Sequence, residues 1–271
     1  MRYQLVPTHW RPDDHNPLTP DGSYPLGTTA VVVAEDASRF MGSSKSGLFH
    51  YRLPRSTPHL QAVLADLVRY EESQGRSLLV SCPDEADPAT WVERALAATP
   101  PSGVIRPWDP LYLVHATTLE CGRQILRDGT VRSLACLVAE GRNPPQQELL
   151  SAVLGEPPEY ADYVNLGPWE SLFVDTVVAS HALGRFVSPD DKYTPGMRFY
   201  FDSHQIIRAG LAVRIADGIK VHRELPLEPF CLLSVGVRDV DPESARATWT
   251  PRTFTEEANR LFLRTAADAS G

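Results

Sequence analysis

His115 and Thr117 are two polar side chains at the end of an apolar run, Leu-Tyr-Leu-Val-His-Ala-Thr at 111–117. Such a run is typical of a buried strand. An imidazole and a hydroxyl group that stand together at a strand end, facing a cleft, suit the hydroxyl groups of a sugar. The alternative is a structural role, in which His115 is partly buried and bonds a neighbouring backbone carbonyl while Thr117 or Thr118 caps a helix.

The residues that follow predict a helix within 118–129. Thr117 stands three residues before Glu120, which is the capping-box pattern. Gly129 is placed to end the helix in the left-handed conformation that glycine adopts readily. We therefore expect a strand that presents His115 at its end and turns at once into a helix.

Length and composition restrict the class of protein. The chain has 271 residues, of which 42% are hydrophobic and 22% are charged, as expected of an ordinary globular protein with a substantial core. The formal net charge of -8 argues against a protein that holds nucleic acid by bulk electrostatics, since phosphate neutralisation needs clustered Lys and Arg. A local basic pocket is still compatible with this charge.

The cysteines and the apolar runs exclude further classes. Cys82, Cys121, Cys136 and Cys231 are scattered singly, without the spacing of a zinc site or a disulfide framework, so we expect free thiols and no metal. The apolar runs are strand-sized, shorter than the roughly 20 residues that cross a bilayer. The first residues do not resemble a signal peptide. We expect a cytoplasmic protein with no membrane partner.

Residues 1–105 predict a small α/β domain. After an irregular arm over 1–26, a helix is predicted with Thr57 as N-cap, Pro58 in the first turn and Gly75 as its C-terminal stop. Three apolar runs around this helix predict strands: 28–36, 47–54 and 76–83. The domain contains no glycine-rich phosphate-binding loop.

Residues 106–271 predict a strand-rich α+β domain. Beyond the strand that ends near His115, four runs predict further strands: 196–202, 210–215, 219–225 and 230–240. Strands that follow one another without intervening helices favour antiparallel pairing over a doubly wound parallel sheet.

Two segments of this second domain resemble the ADP-ribosyltransferase superfamily. The first, LYLVHATTLECGRQILRDGTVRS at 111–133, resembles its first NAD-binding segment, where a strand ends in Tyr-His-Gly-Thr or a relative and leads into a helix ending in Ile-Leu-x-x-Gly. The second, at 199–230, is similar to the C-terminal segment of the RNA 2′-phosphotransferases. Within the superfamily the closest resemblance is to those enzymes and to DarT-like DNA ADP-ribosyltransferases.

The resemblance implies a split, curved antiparallel β-sheet with flanking helices that clamps NAD+ as co-substrate. It implies that His115, Ala116 and Thr117 bind the adenosine-side ribose. Arg132 would lie near the diphosphate, and Tyr163 would stack on nicotinamide. The alternatives are a solvated surface arginine and an ordinary core tyrosine.

The resemblance also implies a carboxylate that stabilises positive charge on the sugar, because members usually place a Glu on a late strand. Glu224 is the first candidate and Asp217 the second, with His222 beside them as a further catalytic candidate. The alternative for Glu224 is a solvated residue that flanks a turn.

The function implied is NAD-dependent ADP-ribosyl transfer, a glycosyltransferase reaction, onto a nucleic acid, a nucleotide or a protein. Two alternatives stay open. The first is the RNA 2′-phosphotransferase reaction, although the chain lacks the early Arg-His pair of that family and has His222 where the family has a Thr. The second is a binding module that keeps the fold and has lost turnover.

Overall fold

A computed structural model of the protein describes residues 3–7, 10–11, 14–25, 27–34, 40–43, 48–82, 87–101, 103–142, 157–215 and 218–268. The chain divides into two units. The first contains Met1–Ser102 together with Leu150–Ala161 and Arg214–Ala216, and the second contains the remainder. The predicted boundary between residues 105 and 106 lies close to the end of the long segment, whereas the two later segments were not expected in the first unit.

Among its described residues, the first unit holds one β-sheet and two α-helices. Its strands are Tyr3–Leu5 (β1), Thr28–Ala34 (β2), Phe40–Ser43 (β3), Phe49–Pro54 (β4) and Ser77–Ser81 (β5), and its helices are Leu60–Ser73 (α1) and Pro88–Ala98 (α2). The strand order is β1-β5-β2-β4-β3. The pairs β1–β5, β5–β2 and β2–β4 are parallel, and β3–β4 is antiparallel. A short 3₁₀ helix, Pro158–Asp162, precedes the next strand of the chain.

Two predictions in this unit were wrong. The arm over 1–26 was expected to be irregular, but β1 adds a parallel strand to the sheet edge, and three residues are too few to show a hydrophobic period. Helix α1 does not begin at Thr57. Its N-cap is His59, held at φ 54, and the Thr57 hydroxyl instead donates to the carbonyl of Pro54 at 2.6 Å.

A buried carboxylate joins the elements of the first unit. Glu71 on α1 is fully buried and accepts hydrogen bonds from the Thr29 hydroxyl and from Nε of Arg76, each at 3.0 Å. It also accepts from the hydroxyl of Tyr160, whose oxygen lies 2.5 Å from that of Tyr51. The carboxylate thereby ties 157–161 to the sheet, because a buried charge is tolerated only when it is paired and hydrogen-bonded.

The second unit is built around a six-stranded sheet. Its strands are Tyr112–Thr117 (β6), Tyr163–Pro168 (β8), Met197–Asp202 (β9), Ala212–Ile215 (β10, of which Ala212 and Val213 belong to this unit), Gly218–His222 (β11) and Cys231–Gly236 (β13), in the order β10-β11-β8-β6-β9-β13. Thr130–Arg132 (β7) and Glu224–Pro226 (β12) form a separate two-stranded sheet. The pairs β11–β8, β8–β6, β6–β9 and β9–β13 are antiparallel, as predicted.

Six helices flank these sheets among the described residues: Leu119–Asp128 (α3), Leu134–Ala139 (α4), Phe173–Leu183 (α5), Ser203–Arg208 (α6), Val237–Val240 (α7) and Pro251–Asp268 (α8). With a largely parallel sheet in one unit and an antiparallel sheet in the other, the chain is a mixed α+β protein, which confirms the predicted class.

Apolar side chains cover both faces of the six-stranded sheet. The first face carries residues from β6, β8, β9, β11 and α6: Leu113, Val164, Leu166, Phe199, Phe201, Ile206, Ile207, Ile219 and Val221. On the second face α8 packs through Phe262, whose ring is stacked on that of Tyr200 with centroids 4.3 Å apart. The sheet is therefore the centre of the second unit, with helices on either side.

A buried arginine fixes helices to the second face. Arg198 on β9 is fully buried and bonds the carboxylate of Asp175 on α5. It also donates to the Thr255 hydroxyl on α8 at 3.1 Å and to the Tyr200 hydroxyl at 3.0 Å. The Tyr200 hydroxyl donates in turn to the side-chain oxygen of Asn259 at 2.8 Å. The network fixes how α5 and α8 lie on the sheet.

Three properties of the described residues bear on the class of protein. None of the four cysteines forms a disulfide bond. In the part of the chain that the structure covers, no group of His, Cys, Asp or Glu is arranged to hold a metal ion. No helix among those residues is both long and apolar enough to pass through a bilayer.

Candidate functional site

The corner after β6 has the predicted form, with one change of cap. Thr118, not Thr117, is the N-cap of α3, and its hydroxyl accepts from the backbone N–H of Cys121 at 3.3 Å. Gly129 ends the helix at φ 66, as predicted. The capping-box assignment of Thr117 was therefore wrong by one residue. Thr117 is the last residue of β6, where it pairs with Met197.

The sheet parts beside this corner. Strand β6 pairs with β9 over its whole length, from Tyr112 to Thr117. On its other edge β6 pairs with β8 only through Leu113 with Pro168 and Val114 with Gly167. Beyond Val114 the ladder between β6 and β8 ends, so His115, Ala116 and Thr117 lie where these two strands are no longer paired. We call this unpaired stretch the gap.

His115 lies at the start of this gap. It is half-buried, and its Nδ1 is 3.2 Å from the backbone carbonyl of Asn165 on β8. Burial lowers the pKa of His115 below its ordinary value, and the bond to the Asn165 carbonyl opposes that change only in part. The ring is therefore neutral at pH 7. Because a carbonyl can only accept, Nδ1 carries the proton and Nε2 is left as an acceptor.

The other two residues of this strand end are also half-buried. Among the residues that the structure describes, neither His115 Nε2 nor the hydroxyl of Thr117 has a hydrogen-bond partner. Gly196 passes so close that an added Cβ would stand 1.8 Å from the carbonyl oxygen of Thr117. A side chain is excluded there, so this glycine sets how tightly 194–196 can pass over the end of β6.

The predicted site residues lie on two faces of the sheet. His115 is opposite Phe199 in the ladder, so His115 and Thr117 share the face of the apolar core to which Phe199 belongs. On β8 that core takes Val164 and Leu166, and alternation therefore turns Tyr163 to the opposite face. A ligand that contacts both groups must therefore reach both faces of the sheet.

Two aromatic rings and a lysine lie together at the start of β8. Tyr163 is half-buried and pairs with His222 on β11, with ring centroids 5.3 Å apart. The ammonium of Lys220 lies 5.8 Å from the centre of the Tyr163 ring and is buried. Lys220 and Asn165 were not among the residues predicted for the site. Lysine in an apolar strand next to a candidate histidine was the signal for the first, whereas a backbone carbonyl acceptor such as that of Asn165 leaves no mark in a sequence.

Arg132 does not present a free guanidinium. Its side chain forms ion pairs with Asp128 at 2.6 Å and with Glu140 at 3.2 Å. Arg142 bonds the same two carboxylates, at 2.6 and 3.3 Å. Two arginines and two carboxylates neutralise one another here, so Arg132 is poorly suited to the diphosphate assigned to it from the resemblance.

Among the described residues, Glu224 makes no hydrogen bond or ion pair with His115. Glu224 is exposed on β12, directly opposite Arg132 in the short sheet. His222 is exposed at the end of β11, two residues earlier. Asp217 lies outside the described residues. Glu224 therefore lies two residues after His222, which pairs with Tyr163 on β8. His115 and Thr117 lie on β6, on the other side of the gap.

Comparison with known proteins gave no relative. No family model matches the chain, and neither a curated protein nor a solved structure matches it.

Proposed function

We propose that the protein binds NAD+ at the gap between β6 and β8 and transfers ADP-ribose to an acceptor. One observation carries the proposal: His115 Nε2 and the Thr117 hydroxyl stand on one strand face at the gap, without a hydrogen-bond partner among the described residues. The two residues are two positions apart on the strand, which corresponds to about 7 Å along it. A ribose whose hydroxyl groups donate to Nε2 and exchange hydrogen bonds with the threonine would satisfy both groups.

The reaction follows from the charge that develops on the sugar. The bond between C1′ and the nicotinamide nitrogen breaks, and its electron pair leaves with nicotinamide. The acceptor supplies the electron pair of the new bond to C1′ and loses a proton. A carboxylate near the sugar would stabilise the positively charged transition state. Glu224 is the described candidate for this group, and Tyr163 is the candidate surface for nicotinamide.

The position of Glu224 favours a second candidate function. Glu224, on β12, is exposed and lies opposite Arg132 on β7. Among the described residues, it has no contact with His115 that would place it at the sugar. A chain whose carboxylate does not reach the sugar would bind NAD+ without turnover. Release of free nicotinamide during incubation with NAD+ distinguishes the two candidate functions. A transferase releases nicotinamide when water or an added acceptor takes the ADP-ribose, whereas a binding module does not.

Thermal unfolding with NAD+ tests the proposal directly. A ligand that binds only the folded chain raises the midpoint, and at about 100 times its Kd it contributes roughly 2.7 kcal/mol. We expect a clear rise at millimolar NAD+ and none with nicotinamide alone. An unchanged midpoint at that concentration would contradict both candidate functions.

The variant His115→Ala separates binding at this site from binding elsewhere. Loss of one neutral hydrogen bond costs about 0.5–1.5 kcal/mol, so the Kd for NAD+ should rise roughly threefold to tenfold. His204→Ala is the matched control, because His204 is also half-buried in the second unit and lies on α6. Calorimetric titration of both variants checks the result, and equal losses would mean that His115 has no specific contact with the ligand.

The same incubations distinguish the acceptor chemistry. A 2′-phosphorylated oligonucleotide that loses its phosphate in the presence of NAD+ would indicate the RNA 2′-phosphotransferase reaction. A stable ADP-ribose adduct on a nucleic acid, a nucleotide or a protein would indicate ordinary ADP-ribosyl transfer. Mass spectrometry of the acceptor reads out both.

A further inference from the structure

Arg223 holds a backbone conformation that arginine rarely adopts. Its φ is 64, in the left-handed region that glycine and asparagine tolerate best. The residue lies between β11 and β12, where the chain leaves the six-stranded sheet and enters the two-stranded one. A glycine here would permit the same turn at a lower conformational cost. The turn alone therefore does not explain why an arginine occupies this position.

The backbone of Arg223 is fixed on both sides. Its N–H donates to the carbonyl of Asp162 at 2.7 Å, and its carbonyl accepts from the N–H of Ser133 at 2.7 Å. Asp162 directly precedes Tyr163, and Ser133 directly follows Arg132. Two short hydrogen bonds to separate segments leave the backbone little freedom, so the direction of the Cα–Cβ bond of Arg223 is fixed relative to these two segments.

The guanidinium of Arg223 has no charge partner in the part of the chain that the structure describes. The side chain is exposed, and no hydrogen bond or ion pair to it is found among those residues. In contrast, Arg132 nearby is engaged by Asp128 and Glu140. Of the two arginines that border Glu224, Arg223 is thus the one whose planar donors are open to a ligand.

We infer that Arg223 binds the diphosphate of the dinucleotide, in place of Arg132. A guanidinium presents paired N–H donors that match two phosphate oxygens, and a rigid backbone reduces the entropy lost when the ion pair forms. This inference rests on the proposed function and deepens it, since it names the group that would hold the anionic centre of NAD+. Conformational strain at this residue is then the cost of presenting the side chain.

The test uses Arg223→Gly, which removes the guanidinium and suits the left-handed conformation. We expect its thermal midpoint to equal or exceed that of the parent chain, while its Kd for NAD+ rises about tenfold or more. Arg223→Asn, which also tolerates this conformation, should give the same loss. Arg223→Lys keeps the charge without the paired donors, so its Kd for NAD+ should lie between that of the parent chain and that of Arg223→Gly. Arg264→Ala, an exposed arginine on α8, is the control for the change in net charge.

Adenosine, which lacks the diphosphate, is the control ligand, and its Kd should be the same in the parent chain and in Arg223→Gly. If the parent chain binds NAD+ and Arg223→Gly binds it equally well, the inference is overturned while the proposed function stands. A parallel loss of adenosine binding would also overturn it, because a general disturbance of the site would explain both. If the parent chain does not bind NAD+, the proposed function and this inference fall together.

Discussion

A single contact of His115 is compatible with both roles considered for this residue. The bond from Nδ1 reaches the Asn165 carbonyl on a part of β8 that is not paired with β6. The same bond fixes the tautomer and leaves Nε2 to accept from a ligand. In either role, Nδ1 of His115 bonds the Asn165 carbonyl. The two roles differ only in whether Nε2 accepts a hydrogen bond from a ligand.

The lowered pKa of His115 gives a prediction at the residue scale. Its ring should be neutral at pH 7 and should titrate with a midpoint below the ordinary value of 6.5. The unfolded chain then takes up this proton at a higher pH than the folded chain. The contribution to stability is therefore fully present above about pH 6.5 and is lost as the pH falls towards the folded pKa.

Two-dimensional NMR of the histidine rings measures this midpoint, with His115→Ala used to assign the resonance. A midpoint at or above 6.5 would show that the ring is not desolvated as described.

The residue assignments from sequence succeeded where the cause is local. Gly129 was identified as a helix stop because its left-handed conformation is a property of the residue itself. The cap was misplaced because Thr117 and Thr118 are adjacent and chemically equal. The ion pairs of Arg132 were not predicted. Its partners are Asp128 at the end of α3 and Glu140 after α4, and only the four-residue spacing to Asp128 indicates a pair in the sequence.

At the scale of elements, the position of β6 depends on a close approach by Gly196. An added Cβ would meet the Thr117 carbonyl oxygen at 1.8 Å, which is backbone and cannot swing aside. We expect Gly196→Ala to cost about 1–3 kcal/mol in the free energy of unfolding, as for other overpacked sites. It should also weaken NAD+ binding, since Thr117 must move.

Gly103→Ala is the control, because nothing lies within 4 Å of its added Cβ and it should be close to neutral. Urea denaturation measures both variants. Equal stability of the two would mean that the approach at Gly196 is looser than described.

Elements with strong periodic patterns were predicted well, and short or non-local ones were not. Strands β6 and β9 follow from the apolar runs at 111–117 and 196–202. Strand β1 was missed because its pairing with β5 joins residues far apart in sequence. The resemblance implied a split sheet without naming the strands that part, and no local sequence pattern indicates where the ladder between β6 and β8 ends.

At the scale of the whole molecule, sequence order and unit membership differ. Residues 157–161 come after the first segment of the second unit in the sequence. They nevertheless belong to the first unit, to which the hydrogen bond between Tyr160 and the buried Glu71 attaches them. Burial raises the pKa of Tyr160, so its hydroxyl stays protonated and remains a donor. This attachment depends on side chains from distant parts of the sequence, which is why the domain prediction did not include it.

The variant Tyr160→Phe tests how much this attachment stabilises the first unit. Removing a hydrogen bond to a buried carboxylate should cost about 1.5–3 kcal/mol. Hydrogen exchange of the β2 and β5 amides should become correspondingly faster. Tyr193→Phe is the control, because the Tyr193 hydroxyl is buried without a partner among the described residues, and its removal should be neutral or stabilising. Unchanged exchange in Tyr160→Phe would contradict the account of Glu71.

The central claim is that a sugar of NAD+ bonds Nε2 of His115, and nitrogen NMR of the imidazole tests it most directly. On addition of NAD+, we predict a shift of the His115 Nε2 resonance that saturates with the same Kd as calorimetry, while Nδ1 stays protonated on Asn165. Nicotinamide alone should leave the resonance unchanged. A His115 resonance that does not move when NAD+ is saturating would contradict the claim.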